Sequence, residues 1–157
     1  MTEAADRTSR LYGNMQTGVL LLFAAVLLWQ PGAVLFESAA ARVAGNVLCA
    51  IGVGILAAAL VTLRGTVQIE PQPKAGRQLV ERGLYRHLRH PIYTAIVLCV
   101  VGLWLKSPRA AGALAGLLVM VFIVFKVRVE ERFLLSAYPD YAAYRERTRG
   151  VFLTAHL

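Results

Sequence analysis

Two short polar stretches hold the side chains of this chain best suited to chemistry, and each abuts a long apolar run. The first is Gly76–Tyr93, GRQLVERGLYRHLRHPIY. Pro91 suits the first turn of a helix and pushes the residue before it out of helical geometry. His90 would then stand at a helix start, where backbone N–H groups and the helix dipole attract anionic ligand groups. Arg86 and Arg89 add positive charge at the same level. The same residues also fit a plainer role, a basic collar reaching toward lipid headgroups. His87 and His90 invite a metal reading, but zinc needs several convergent ligands. The remaining histidine, His156, is next to the C-terminus, and Cys99 lies several turns into an apolar run. No metal site is expected.

The second stretch begins KVRVEERFLL at Lys126 and continues through Tyr138, Tyr141 and Tyr144. Glu130 and Glu131 fall about one turn beyond the apolar boundary. Neighbours on a helix point about 100° apart, so the two carboxylates cannot serve one atom. One can face a site while the other meets water or a basic partner. Lys126 stands one turn before Glu130 on the same face. An amphipathic interfacial helix with tyrosines at headgroup level is the plainer alternative.

Together the two stretches are far more specific. L-V-x-x-G-x-Y-x-x-x-R-H-P-x-Y runs from Leu79 to Tyr93, an apolar hairpin follows, then E-E-x-x-L from Glu130 to Leu134 and Y-x-x-Y from Tyr141 to Tyr144. In order and spacing, over roughly Lys74 to Arg149, this resembles the isoprenylcysteine carboxyl methyltransferase family and its bacterial relatives. These are integral-membrane enzymes that use S-adenosylmethionine. The resemblance implies cofactor contacts at Gln78, Leu79, Val80, Tyr85, His90, Pro91, Ile92, Tyr93 and Glu130, and catalytic positions at Arg89, Lys126 and Glu131. The chemistry is consistent with that assignment. Basic groups and a helix N-terminus suit the carboxylate of the cofactor, and Glu130 suits its ammonium. Tyr85 or Tyr93 can stack on adenine or lie near the sulfonium.

Methyl transfer is an in-line displacement, so catalysis would be mostly positioning. A carboxylate or thiolate acceptor needs no strong base. An amine must first be neutral, and Glu131 is then the candidate base. Two departures bear on the acceptor. Eukaryotic members place an arginine one turn ahead of the glutamate pair, where this chain has Lys126; Arg128 is on another face. Lysine lacks the bidentate carboxylate grip of arginine, which weighs against a prenylcysteine carboxylate. The usual proline-containing tail is also missing. The expected function is methyl transfer to a lipidic or small membrane-partitioned acceptor. The alternatives are a phospholipid or amine N-methyltransferase, and a non-catalytic membrane scaffold or small transporter subunit.

The elements that must hold these residues are apolar. Of 157 residues, 57% are hydrophobic and 17% charged, with mean hydropathy +0.57, where a soluble domain is about a quarter charged. Disorder, collagen-like repeats and a disulfide scaffold are excluded, and an integral membrane protein is implied. Cys49 and Cys99 read as small core residues. The net charge of +8 would suggest nucleic acid on a soluble protein; here it reads as basic loops against anionic headgroups, with membrane lipids and no nucleic acid as partners.

An all-α fold of about four spans is expected: Thr17–Phe36, interrupted by Pro31-Gly32, then Val43–Leu63, Pro91–Leu105 and Ala110–Phe125. The last two are only about 22–24 Å long, short of a hydrocarbon core of about 30 Å; full crossing is favoured over a re-entrant hairpin. Lys and Arg concentrate before the first span, between the second and third, and after the fourth. Both termini and the middle loop are therefore expected on the cytoplasmic side of a bacterial inner membrane. Ser38-Ala39-Ala40 also vaguely resembles a signal-peptide cleavage site. The chain reads as one membrane domain, 1–157, with a two-span region at 1–70 and a methyltransferase core at 71–157. The spans hold no ionisable residue at depth, which speaks against an ion-coupled transporter. Gly52, Gly54, Gly112 and Gly116 suggest close helix packing.

Overall fold

A computed structural model describes residues 3–29, 31–63 and 79–150, with side chains from Leu11 onward. The protein is all-helical. Its helices are α1 (Glu3–Trp29), α2 (Ala39–Leu63), α3 (Pro91–Lys106), α4 (Ala110–Ala137) and α5 (Tyr141–Arg147), with a 3-10 turn at Gly83–Arg86.

The first span departs from its expected limits. α1 stops at Trp29 instead of running to Phe36: Pro31 has no backbone N–H with which to continue the helical hydrogen bonds, and Gly32 turns the chain with φ +88. The apolar residues after it extend along the α3–α4 turn: Leu35 N donates to Pro108 O at 2.8 Å, and Ala110 N to Ala33 O at 3.1 Å. α2 starts four residues earlier than Val43, because Ser38 caps it; its Oγ accepts from Ala41 N at 3.2 Å. α3 begins as expected, with Pro91 in its first turn and His90 as the capping residue. The fourth element is much longer than Ala110–Phe125. At 28 residues α4 is about 42 Å long, so it overruns a hydrocarbon core by about two to three turns.

Three helical stretches are long and apolar enough to cross a membrane, Leu11–Trp29, Ala39–Leu63 and Ala110–Ala137; α3 is apolar but has 16 residues. Leu28 and Trp29 are 86% and 84% exposed, a surface that only a lipid environment tolerates at this density. This is a multi-pass membrane protein.

α1 packs on α4, α4 on α3, and α3 most extensively on α2. The α2–α3 contact is close because glycine lines it. A Cβ at Gly45 would stand 2.5 Å from Gly102 O, and one at Gly52 would stand 2.7 Å from Cys99 Sγ. Cys49 and Cys99 are free thiols packed across the same seam, each Sγ about 4 Å from the other's carbonyl oxygen. Gly54 corrects the expectation for the glycines: it is exposed with open space around it, and so takes no part in packing. The core is shared by α1, α3 and α4, from Phe23 through Tyr93, Val97 and Val100 to Val119, Ile123 and Val127. This helix order leaves the end of α2, the start of α3 and the overrun of α4 at one end of the bundle, which is where the polar residues collect.

Candidate functional site

The two polar stretches are tied into one cap over that end. Gly83, with φ +58, lets the 3-10 turn fold against α2, where a Cβ would meet Thr62 at 2.6 Å. Residues 87–89 then pair with Arg149: Arg89 N donates to Arg149 O at 2.7 Å, and Arg149 N to His87 O at 3.0 Å. Tyr144 Oη donates to Tyr85 O at 2.6 Å, and Arg147 pairs with Glu81. α5 is thereby held over the start of α3.

Glu131 is the hub beneath the cap. It is 4% exposed. Its Oε1 accepts from Arg89 Nε at 2.8 Å and lies 3.1 Å from His90 Nε2. Arg145 Nε stands 3.1 Å from Oε2 as an ion pair, without an aligned hydrogen bond. Arg89 also donates from Nη1 to Arg145 O at 2.8 Å and Thr148 O at 2.6 Å. One guanidinium thus joins α4, the start of α3 and the chain around α5. The fork geometry of arginine makes such a junction possible.

Glu130 faces elsewhere, as adjacent helical positions require. It is half-buried, and its Oε2 accepts from Tyr93 Oη at 2.7 Å. The Tyr93 ring stacks on His90 with centroids 5.6 Å apart. Tyr85 is also close to this carboxylate: burial, then the negative charge of Glu130, push its hydroxyl pKa well above the ordinary value. Lys126 Nζ lies 5.7 Å from the centre of the Tyr93 ring and is hydrogen-bonded to Gln16 of α1. Lys126 itself is 1% exposed.

Of the expected site residues, Arg89, His90, Tyr93, Lys126, Glu130 and Glu131 therefore form one connected group, with Tyr85 at its edge. Pro91 is buried at the α3 start and Ile92 half-buried beside it; Leu79 and Val80 are half-buried in the loop ahead. Gln78 and His156 lie outside the described residues. His87 and Arg86 are exposed, so they stand apart from the group. Sequence reasoning missed Gln16, Arg145 and Thr148. Gln16 had a signal, as a polar residue bordering an apolar run; Thr148 enters through its backbone carbonyl, which no side-chain pattern reveals.

Three buried polar atoms near the hub make no hydrogen bond among the described residues: Arg89 Nη2, Glu131 Oε2 and Tyr141 Oη. Such groups are costly unless something satisfies them. No cluster of three or more metal-ligating side chains occurs among the described residues.

Comparison with known proteins places this chain in a family. The cobalt-zinc-cadmium resistance protein CzcN of Cupriavidus metallidurans is 36% identical over 75 residues, 47% of this chain and 35% of that protein. The chain thus covers about a third of the length of this curated relative. No solved structure matches the chain. The phospholipid methyltransferase family model matches residues 40–141, from the start of α2 to the first residue of α5. The isoprenylcysteine family that the motifs resemble is related to it. With well over half its length matched, the chain belongs to the phospholipid methyltransferase family.

Proposed function

We propose that the protein is a membrane methyltransferase that binds S-adenosylmethionine under the cap and methylates a lipidic acceptor. The observation that carries this reading is the Glu130–Tyr93 pair beside His90, in a chain of this family. A cationic ligand is well met by a carboxylate with an aromatic side chain beside it, here Glu130 with Tyr93. The unpartnered Arg89 Nη2 is a matching donor for a ligand carboxylate. The residues present therefore fit the cofactor. When bound, it would supply an electrophilic methyl group. Glu130 and Tyr93 would hold its cationic end, His90 would pack against Tyr93, and the Arg89–Glu131 hub would fix both walls. The cap would exclude water from the reacting atoms.

The acceptor we favour is a phospholipid amine. The family description points that way, and so does lysine, not arginine, at position 126. The cap end faces the cytoplasm in this reading, because the basic residues concentrate in the segments at that end. A reporter fused near Gln72 should then give a cytoplasmic signal.

The direct test is equilibrium binding of S-adenosylmethionine to the purified full chain in detergent, followed by transfer of labelled methyl to phosphatidylethanolamine in vesicles. Saturable binding with label appearing in the lipid is expected. Failure of the full chain to bind the cofactor would remove the reading.

A further inference from the structure

α2 meets α3 through a face whose buried residues, Gly45, Gly52 and Ala59, recur every seven positions. On a face turned away from α3 a second series has the same period. Val43, Ala50 and Ala57 alternate with Asn46, Val53 and Leu60, and all six are exposed. Alternating steps of three and four are the pattern by which two helices pack side by side, and alanines in the middle let the backbones come close. Asn46 is the polar member of the series. Its side-chain amide makes no hydrogen bond among the described residues. It stands about 10 Å along from the start of α2, and a 25-residue helix of about 37 Å centred on a hydrocarbon core of about 30 Å places that level inside the core. We infer that this face of α2 joins two copies of the chain, with the Asn46 amides hydrogen-bonded to each other across a two-fold axis along the membrane normal.

Lipid tails suit the valines of this face but offer the amide nothing, and an unpaired amide in hydrocarbon is costly. A second copy satisfies it. A carboxamide carries donors and an acceptor, so two of them pair reciprocally when a two-fold brings them together. Copies inserted in the same orientation hold Asn46 at the same depth, and a single amide in an apolar seam fixes which register the helices adopt. Charge complementarity at the same end agrees. Glu37 and Arg42 flank the start of α2, both exposed and neither in an ion pair among the described residues. A two-fold-related copy offers each of them the opposite sign. α2 is also the end helix of the packing order α1–α4–α3–α2, so the contact leaves the Arg89–Glu131 hub of each copy untouched. The inference does not depend on the methyltransferase reading.

The test uses the full chain, labelled at its C-terminus with a donor or an acceptor fluorophore. The two are reconstituted together in phosphatidylcholine vesicles over a range of protein-to-lipid ratios. Energy transfer reads association, and thermal unfolding of each variant checks the fold. Wild type should show saturable transfer with the stoichiometry of a dimer, reversed by unlabelled chain. Asn46→Leu should raise the dissociation constant roughly three- to tenfold, the effect of hydrogen bonding between helices in a membrane. Asn46→Gln keeps the amide and should recover most of the affinity. Ala50→Leu puts bulk where the backbones meet and should weaken association at least as much. Leu118→Ala, on the exposed face of α4, should leave it unchanged. Transfer no greater than random proximity at every ratio in wild type would overturn the inference. So would an unchanged dissociation constant in either Asn46→Leu or Ala50→Leu, or an equal loss in Leu118→Ala.

Discussion

Arg89 donates from Nε to Glu131 Oε1 at 2.8 Å, joining side chains 42 positions apart in sequence. With 1% and 6% side-chain exposure, the pair is out of reach of water, and each residue carries other contacts. Arg89 holds the carbonyls of Arg145 and Thr148, while Glu131 holds His90. The contact therefore decides whether the start of α3, the end of α4 and the α5 region form one body.

Arg89→Ala should destabilise the fold by about 3–5 kcal/mol, the effect of stranding one half of a buried pair. Arg89→Lys should recover only a small part, since one ammonium cannot span a carboxylate and two carbonyls in a planar fork. Thermal unfolding in detergent reads the stability. Limited proteolysis beyond Tyr138 reads the release of the cap. Full stability in Arg89→Lys would show that the fork geometry does not matter.

The α2–α3 seam gives a prediction away from the site. A Cβ at Gly45 would come within 2.5 Å of a backbone oxygen that cannot move aside, so Gly45→Ala should separate the helices and lower the melting temperature clearly. Gly54→Ala, nine residues on in the same helix, meets open space and should be neutral or slightly stabilising through helix propensity. Equal effects in a thermal shift assay would mean that the seam is looser than its geometry implies.

Much of this was legible in the chain. The helical class follows from uninterrupted apolar runs, and Pro91 marks the α3 start to the residue. The R-H-P-x-Y and E-E strings bring together Arg89, His90, Tyr93, Glu130 and Glu131. The limits of α1 and α4 were less legible, for different reasons. Apolar residues after Pro31 look like span but make backbone bonds to the α3–α4 turn, and α4 continues past its apolar part because tertiary contacts of Glu131 and Lys126 hold it. The partners of Glu131 are long-range, and one of them acts through main-chain atoms. Spacing shows that Glu130 and Glu131 diverge; it does not show which one meets Arg89.

The two histidines should behave differently. His90 is buried against Glu131 and Tyr93, whereas His87 is exposed in the turn. His90→Ala should weaken S-adenosylmethionine binding by about 1–3 kcal/mol, the usual loss for a hydrogen bond to a charged group. His87→Ala should stay within about 0.5 kcal/mol of wild type. Calorimetric titration of both variants decides it. Equal losses would fit a collar of basic residues at the headgroups, which has no reason to tell the two apart.

The adjacent glutamates should separate cofactor binding from architecture. Glu130 is half-buried and its Oε2 accepts from Tyr93 Oη, away from the Arg89–Glu131 contact, so Glu130→Gln removes a charge without disturbing the hub. Cofactor affinity should fall by roughly tenfold or more, because a neutral amide cannot pair with a ligand ammonium, while the melting temperature stays near wild type. Glu131→Gln replaces a carboxylate that faces Arg89, His90 and Arg145. It leaves the buried Arg89 guanidinium without its counter-charge, so the melting temperature should drop first and cofactor affinity should follow it. The sequence alone had made Glu131 the candidate base for an amine acceptor. That role predicts the opposite pattern, normal stability and normal binding with slow turnover. Melting temperature, binding isotherm and turnover measured on the same two variants distinguish a hub from a base. Normal cofactor affinity in Glu130→Gln would show that the cationic end of the ligand lies elsewhere.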